Sequence, residues 1–218
     1  MAPRRYSMTR KQADAAATRQ RILDATLKLH SERGIFGTNW SDIARAADVA
    51  VGTVYRYFPS LEELVPACGE LLMQRTQPPQ PEDITAILGS ALDPADRLQR
   101  VAEALFTFYA RAGSALDADL RERQLPAVRE WEDYLRSMVK GFVAEALLPS
   151  KIADGAVEQV CFLFDVPGFN AMRIRGMSPE TAAATATGMA ASWLGLAASQ
   201  ASKQETTKRP EGPASTAE

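Results

Sequence analysis

The sequence predicts an all-α protein in two parts, and three observations carry that expectation. Apolar residues recur at intervals of three and four from about residue 18 onward, and no segment alternates with the period of a strand. The stretch Gln77-Pro78-Pro79-Gln80-Pro81 interrupts the helical pattern and divides a short front from a longer rear. Charge divides in nearly the same place: residues 1–60 hold ten Lys/Arg against five acids, net +5, and the remainder holds fifteen against twenty-two, net −7. A basic front beside an acidic rear fits a polyanionic partner for the front alone, although a solvated basic arm gives the same count.

Residues 1–17 are polar and Arg-rich without apolar period, which reads as a flexible basic arm. A first helix is expected over 18–33, with Ile22, Ala25 and Leu29 on one stripe. Gly34 is its stop, because glycine reaches the left-handed conformation at little cost. Asn39 is placed to cap a short second helix, Trp40 to Ala47, with Asp42 in its first turn. Asp48-Val49-Ala50 leaves room only for a tight turn before a third short helix over 51–58, which turns Val54 and Phe58 inward. Pro59 ends that helix, and Ser60-Leu61-Glu62-Glu63 reads as a capping box opening a fourth. This one carries Pro66 inside it, at a cost of about 3 kcal/mol or a kink.

Behind the proline linker, Asp93-Pro94 opens a helix marked by Leu98, Val101, Leu105, Phe108 and Tyr109. A second long helix is expected over 125–148, and apolar segments over 152–165 and 167–175. Ser178-Pro179-Glu180 opens a final helix rich in Ala and Gly that runs to about Ser199. The organisation is therefore an arm over 1–17, a front domain over 18–64, a connecting helix and linker over 65–81, a rear domain over 82–200 and a disordered polar tail over 201–218.

Composition narrows the function classes. With 46% hydrophobic residues in 218, the chain can bury a core, yet no run of eighteen apolar residues suggests a membrane span. The basic N-terminus has no apolar stretch of the kind a signal peptide needs, so a cytoplasmic protein is expected. Cys68 and Cys161 read as buried free thiols, with a disulfide the alternative. No catalytic residue, cofactor or metal site is expected. There is one histidine, His30, and no His/Cys set, glycine-rich phosphate loop or nucleophile motif. Acid clusters such as Glu62-Glu63, Asp117/Asp119 and Glu130/Glu132/Asp133 read as solvated helix faces.

Helix, three-residue turn and short helix is the arrangement that lets a second helix enter the major groove of DNA. The outward side of residues 51–57 suits that role, with the Thr53 hydroxyl, the Arg56 guanidinium, the phenols of Tyr55 and Tyr57, and Gly52 permitting close backbone approach. Pattern alone fits equally a tight helical hairpin with aromatic packing, that is, a helical interaction protein without sequence-specific DNA binding. The residues Thr18-Arg19-Gln20-Arg21-Ile22-Leu23-Asp24-Ala25, Glu32-Arg33-Gly34, Ser41-Asp42-Ile43-Ala44 and Gly52-Thr53-Val54-Tyr55-Arg56-Tyr57-Phe58-Pro59-Ser60 favour the first reading. Collinear over about residues 18–64, they resemble the tetracycline-repressor (TetR) family of bacterial transcriptional regulators.

The resemblance implies an N-terminal three-helix DNA-binding domain and a C-terminal helical ligand-binding and dimerisation domain. Gly52 through Tyr57 match the recognition helix. Thr53, Tyr55 and Tyr57 match positions that touch phosphate or bases, and Arg56 a variable position that often reads bases. Thr38, Asn39 and Ser41 lie where the second helix meets the DNA backbone, and Arg4, Arg5, Arg10 and Lys11 are within the arm's reach of phosphates. Three positions depart from the pattern: Ala50-Val51 replaces a Ser-Lys pair, Leu61 a phosphate-gripping lysine, and Trp40 a smaller aliphatic.

The resemblance further implies a homodimeric repressor that binds a palindromic double-stranded operator and responds to a small, hydrophobic ligand. Phe106, Tyr109, Trp131, Tyr134, Met138, Phe162, Phe169 and Met172 are the candidate pocket lining, with ordinary core packing the alternative for each. Met189, Trp193, Leu194 and Leu196 are the candidate dimer anchors, on a helix whose alanines and glycines permit close approach.

Overall fold

A computed structural model of the chain describes residues 4–148, 150 and 154–196, with the side chains of residues 4–9 and 154 outside the described set. All regular elements among the described residues are helical. The expected tail over 201–218 lies outside them.

Helix α1 spans Arg4–Arg33, so the described part of the segment expected as an arm, residues 4–17, continues the first helix. Good helix formers such as Ala15, Ala16 and Ala17 favour this extension. No residue from Arg10 to Arg21 is buried, and the core begins at Ile22. The helix ends as expected at Gly34, which has φ +76° and donates its N–H to the His30 carbonyl at 2.8 Å.

Helix α2 spans Trp40–Ala46 and α3 spans Val51–Tyr57, with Asp48 at φ +53° in the turn between them. Asn39 caps α2, its Oδ1 accepting the Asp42 N–H at 2.9 Å. Helix α4 spans Leu61–Thr76, and Ser60 precedes it in extended conformation but makes no side-chain cap bond to its backbone. The expected capping box is therefore incomplete. Pro66 sits in the interior of α4, on an exposed face of the helix.

One core unites these four helices. Ile22, Ile43, Val54, Phe58 and Leu64 are its most buried members, and Leu71 closes it. The next residue, Leu72, already belongs to the second core. Helix α4 is thus shared between the two domains, and Gln77, at φ +46°, ends it in the left-handed conformation.

The rear domain follows a short 3₁₀ turn at Pro81–Asp83. It comprises α5 (Ile84–Leu88), α6 (Pro94–Ala112), α7 (Pro126–Leu147), α8 (Asp154–Phe164), α9 (Val166–Arg173) and α10 (Pro179–Leu194). Asp93 caps α6 with bonds from the N–H groups of Ala95 (2.9 Å) and Asp96 (3.3 Å), and Ser178 caps α10. Helix α6 is central: Leu98, Val101, Ala102, Leu105, Phe106 and Phe108 have no exposed surface. Helix α10 lies against it through Ala182, Ala183, Ala186 and Ala190, whose small side chains let the two backbones approach. These four alanines thus pack inside the chain, while Ala184 stays exposed on the opposite side of the helix. Helix α10 also stops at Leu194, with Gly195 left-handed at φ +64°, earlier than the expected Ser199.

Candidate nucleic-acid interface and interdomain cavity

The third helix divides cleanly. Val54 and, just beyond the helix, Phe58 are buried, whereas Val51, Gly52, Tyr55 and Arg56 are exposed and Thr53 and Tyr57 half-buried. Gly52 fills no internal gap, since a Cβ there would meet nothing within 4 Å, and the open space lies outside the fold. Tyr55 packs on Trp40, ring centroids 4.9 Å apart, so the bulky residue that opens α2 supports a side chain on the exposed face of α3. Arg56 lies over the Tyr57 ring at 5.4 Å and Arg19 over the Phe58 ring at 5.1 Å.

On α2, Ser41 is exposed and Asn39 is committed to its cap. Thr38 Oγ1 donates to the Gly34 carbonyl at 2.9 Å. Asp42 gathers Arg45 at 3.2 Å and Arg33 at 3.6 Å, which removes two guanidiniums from the free positive charge of the domain. The Asp42–Arg45 pair follows from its i,i+3 spacing, but neither the Arg33 contact nor the Trp40–Tyr55 stack is signalled along the chain. The side chains of Arg4 and Arg5 lie outside the described residues.

Between the domains is a cavity of about 670 Å³. Its walls come from both sides: His30 of α1, Val65, Pro66 and Met73 of α4, Tyr109 of α6 and Trp131 of α7. The loop over 113–125 closes one end and is fastened to α1. Ser114 Oγ donates to the Ser31 carbonyl at 2.7 Å, and Arg121 lies over the Phe36 ring at 4.7 Å. Buried Glu122 accepts the N–H of Ile35 at 2.5 Å and that of Asp119 at 2.9 Å. A Cβ on Gly34 would come within 2.7 Å of the Glu122 carboxylate, so this glycine is demanded by contact as well as by its φ.

Burial holds the His30 imidazole down at about 4 and leaves its Nε2 without a partner among the described residues. Burial also pushes the Asp165 carboxyl up to about 6. The Cys68 and Cys161 thiols are both buried and free, and burial pushes each up to about 12, so neither is a thiolate at neutral pH.

Residues 22–68 match the family model described as bacterial regulatory proteins, tetR family. Over that stretch the front domain is similar to a TetR-family helix-turn-helix. Over 47 residues the chain is 55% identical to the HTH-type transcriptional repressor KstR of Rhodococcus jostii, a match spanning 22% of each chain. The solved structure of NalD, the secondary repressor of the MexAB-OprM multidrug efflux pump in Pseudomonas aeruginosa, superposes with TM-score 0.60 at 23% identity. That superposition covers 82% of this chain and 95% of NalD. A TetR-like regulator from Rhodococcus sp. RHA1 superposes with TM-score 0.58, also at 23% identity, over 82% of this chain and 95% of its own. These sequence matches cover the front domain, whereas the superpositions extend the likeness in fold to the rear.

Around that TetR-type front, the eight aromatic and methionine positions expected to line a pocket separate. Tyr109 and Trp131 line the interdomain cavity. Phe106 and Phe169, with ring centroids 5.0 Å apart, are core neighbours of Tyr109, and Met138 is buried in the same core. Met172 packs against that core from its edge. Tyr134 stacks on Trp131 from outside the cavity, its hydroxyl 3.4 Å from Gln80 Oε1. Phe162 is 62% exposed on α8 and faces solvent. The helical period placed these side chains inward or outward by one turn, and only tertiary packing decided which inward ones met a void.

Of the four expected dimer anchors, Met189 (54%) and Trp193 (56%) are exposed one turn apart on α10. Leu194 and Leu196 instead pack partly against the rear core. Helix α8 packs beside α10 and adds Phe162 to the exposed apolar groups. No described helix is long and apolar enough to cross a membrane, and no group of three or more His, Cys, Asp or Glu among the described residues is placed to hold a metal ion.

Proposed function

We propose that the protein is a cytoplasmic transcriptional repressor that binds a two-fold symmetric DNA operator as a homodimer and releases it when a small ligand enters the interdomain cavity. The observation that carries this reading is the exposed face of α3, held over a buried Val54–Phe58 base in a TetR-type domain. Thr53, Tyr55, Arg56 and Tyr57 offer hydroxyl and guanidinium groups to base edges and phosphates, and Gly52 lets the backbone come close. Thr38, Asn39 and Ser41 meet the flanking phosphates, and Arg4, Arg5, Arg10 and Lys11 extend the positive footprint.

Pairing is supported by Met189, Trp193 and Phe162, three large apolar side chains left in water on neighbouring helices. An isologous dimer through α8 and α10 removes them from solvent and sets two α3 helices about 34–36 Å apart, one turn of DNA. Ligand control is supported by the position of the cavity, whose walls include both α1 and α4. An occupant that favours one setting of α4, with Pro66 as the weak point of its backbone ladder, changes the spacing of the two α3 helices. A nearly complete switch requires about 5.5 kcal/mol of differential affinity between the two settings.

The test is selection of bound fragments from a random DNA pool, repeated with cell extract as a source of ligand. Enrichment of a short inverted repeat, lost when extract is added, supports the reading. Retention of DNA without any enriched sequence overturns it and leaves a helical interaction protein.

A further inference from the structure

The cavity expected to suit a hydrophobic ligand carries an unbalanced charge. Six carboxylates contribute to its walls (Glu70, Asp117, Glu122, Glu130, Glu132 and Asp165) against two guanidiniums, Arg123 and Arg136. His30 adds no charge, since burial keeps it neutral at physiological pH. Both arginines are already engaged, Arg123 with Glu132 at 3.0 Å, and Arg136 with Glu132 at 3.6 Å and Asp133 at 2.6 Å. Arg173 holds Asp117 at 3.2 Å, and the backbone holds Glu122. Glu70, Glu130 and Asp165 are left without an ion pair among the described residues. Glu70 and Glu130 are exposed at the rim, but Asp165 is half-buried at the junction of α8 and α9. Burial there disfavours its charge more strongly than the field of Arg136 relieves it.

Three classes of occupant meet this wall differently. A neutral apolar molecule strips water from the Asp165 carboxylate and gives nothing in return. An anion meets repulsion from Glu70, Glu130 and Asp165, which have no ion-pair partner among the described residues, and the two arginines of the wall are already engaged. A cation supplies the missing counter-charge, and the indole of Trp131, which lines the cavity, adds an aromatic surface that favours it. Leu72, Met73, Val128 and Leu135 give the wall an apolar part that suits an aliphatic or aromatic body, in a volume of about 670 Å³.

We propose that the cavity binds a lipophilic organic monocation, with its positive centre beside Asp165 and its apolar body against Trp131, Leu135 and Met73. The inference rests on the cavity being the ligand site of the regulator, and it assigns the chemical class of that ligand. Two synthetic ions of the same size and shape but opposite charge, tetraphenylphosphonium and tetraphenylborate, separate charge from greasiness. Calorimetric titration of the full chain at about pH 7.5 gives saturable one-to-one binding of the phosphonium, at least about tenfold tighter than of the borate. Asp165→Asn, nearly isosteric, weakens phosphonium binding about tenfold, and Trp131→Leu weakens it less, by about threefold. Glu145→Gln, on the exposed side of α7 away from the cavity, leaves it unchanged.

Equal or tighter binding of the borate overturns the proposal. So does binding of neither ion, or full affinity in the folded Asp165→Asn variant. Operator retention by the same preparations is scored separately. A chain that binds DNA but not the phosphonium loses this proposal alone, whereas one that binds the phosphonium but no specific DNA loses the regulator reading and keeps the cavity chemistry.

Discussion

Glu122 accepts the backbone N–H of Ile35, 87 residues earlier in the chain, and so ties the wall of the interdomain cavity to the end of α1. A carboxylate only 4% exposed is stable there because two backbone N–H groups replace its water. Glu122→Ala leaves both donors without their partner and costs about 1–3 kcal/mol in chemical denaturation. Gly34→Ala is expected to destabilise as well, through its positive φ and its contact with the same carboxylate. Two variants without measurable effect would mean that the domains are not joined at this point.

The pH dependence of stability follows from two groups of opposite sign. His30, held down at about 4 against 6.5 in the unfolded chain, stabilises the fold above pH 6.5, and that contribution is lost as pH falls toward 4. Asp165, pushed up to about 6 against 3.8, is a cost when ionised, and stability is recovered as pH falls from 6 toward 3.8. Arg136 and Glu158 act on Asp165 in opposite directions and leave burial dominant. Solvent still reaches Asp165, so Asp165→Asn stabilises by about 1 kcal/mol at about pH 7.5, a Tm rise of about 2–4 °C. Its advantage disappears near pH 4, where the remaining His30 loss steepens the acid limb. His30→Leu flattens that limb. Melting curves between about pH 4 and 8 check both directions.

Much of the front domain was legible because its signals are local. The glycine after α1, the asparagine before α2 and the proline after α3 each act on the residues beside them, and the helix ends they mark fall within a residue of expectation. The 3.6-residue period likewise placed Val54 and Phe58 inside and Tyr55 and Arg56 outside. The start of α1 was missed because charge and lack of apolar period say whether a segment packs, not whether it is helical. The cavity was mostly illegible. Which of Phe106, Trp131 and Phe162 meets core, void or solvent depends on how α6, α7 and α8 pack, and no local spacing encodes that. Glu122 carries no signal of its role along the chain, since its partner Ile35 lies on another domain.

The exposed face of α10 predicts the oligomeric state. Met189→Glu together with Trp193→Glu puts charge on the proposed dimer face and is expected to shift sedimentation from dimer to monomer. Both side chains are more than half exposed in the single chain, so monomer stability changes by no more than about 0.5 kcal/mol. A variant that still sediments as the wild-type dimer places the interface elsewhere.

The basic first turns of α1 predict a salt effect. Deleting residues 2–11 removes Arg4, Arg5, Arg10 and Lys11. If these cations meet phosphates, the slope of log K against log salt becomes shallower by about 0.9 for each phosphate no longer neutralised, and affinity at low salt falls with it. Unchanged slope and affinity would show that this segment stays off the DNA and that the helix-turn-helix carries the whole footprint.

The most direct test of the central claim is to measure affinity for the selected operator and its single-base variants with wild-type protein and with Arg56→Ala. Arg56 is exposed on α3 and touches the front core only through its contact with the half-buried Tyr57 ring, so a melting curve of the variant checks that the fold is kept. The account predicts a loss of about 1–3 kcal/mol on the intact operator, with discrimination relaxed at symmetry-related positions of the two half-sites and kept elsewhere. Equal affinities of wild type and variant across the whole set would contradict it.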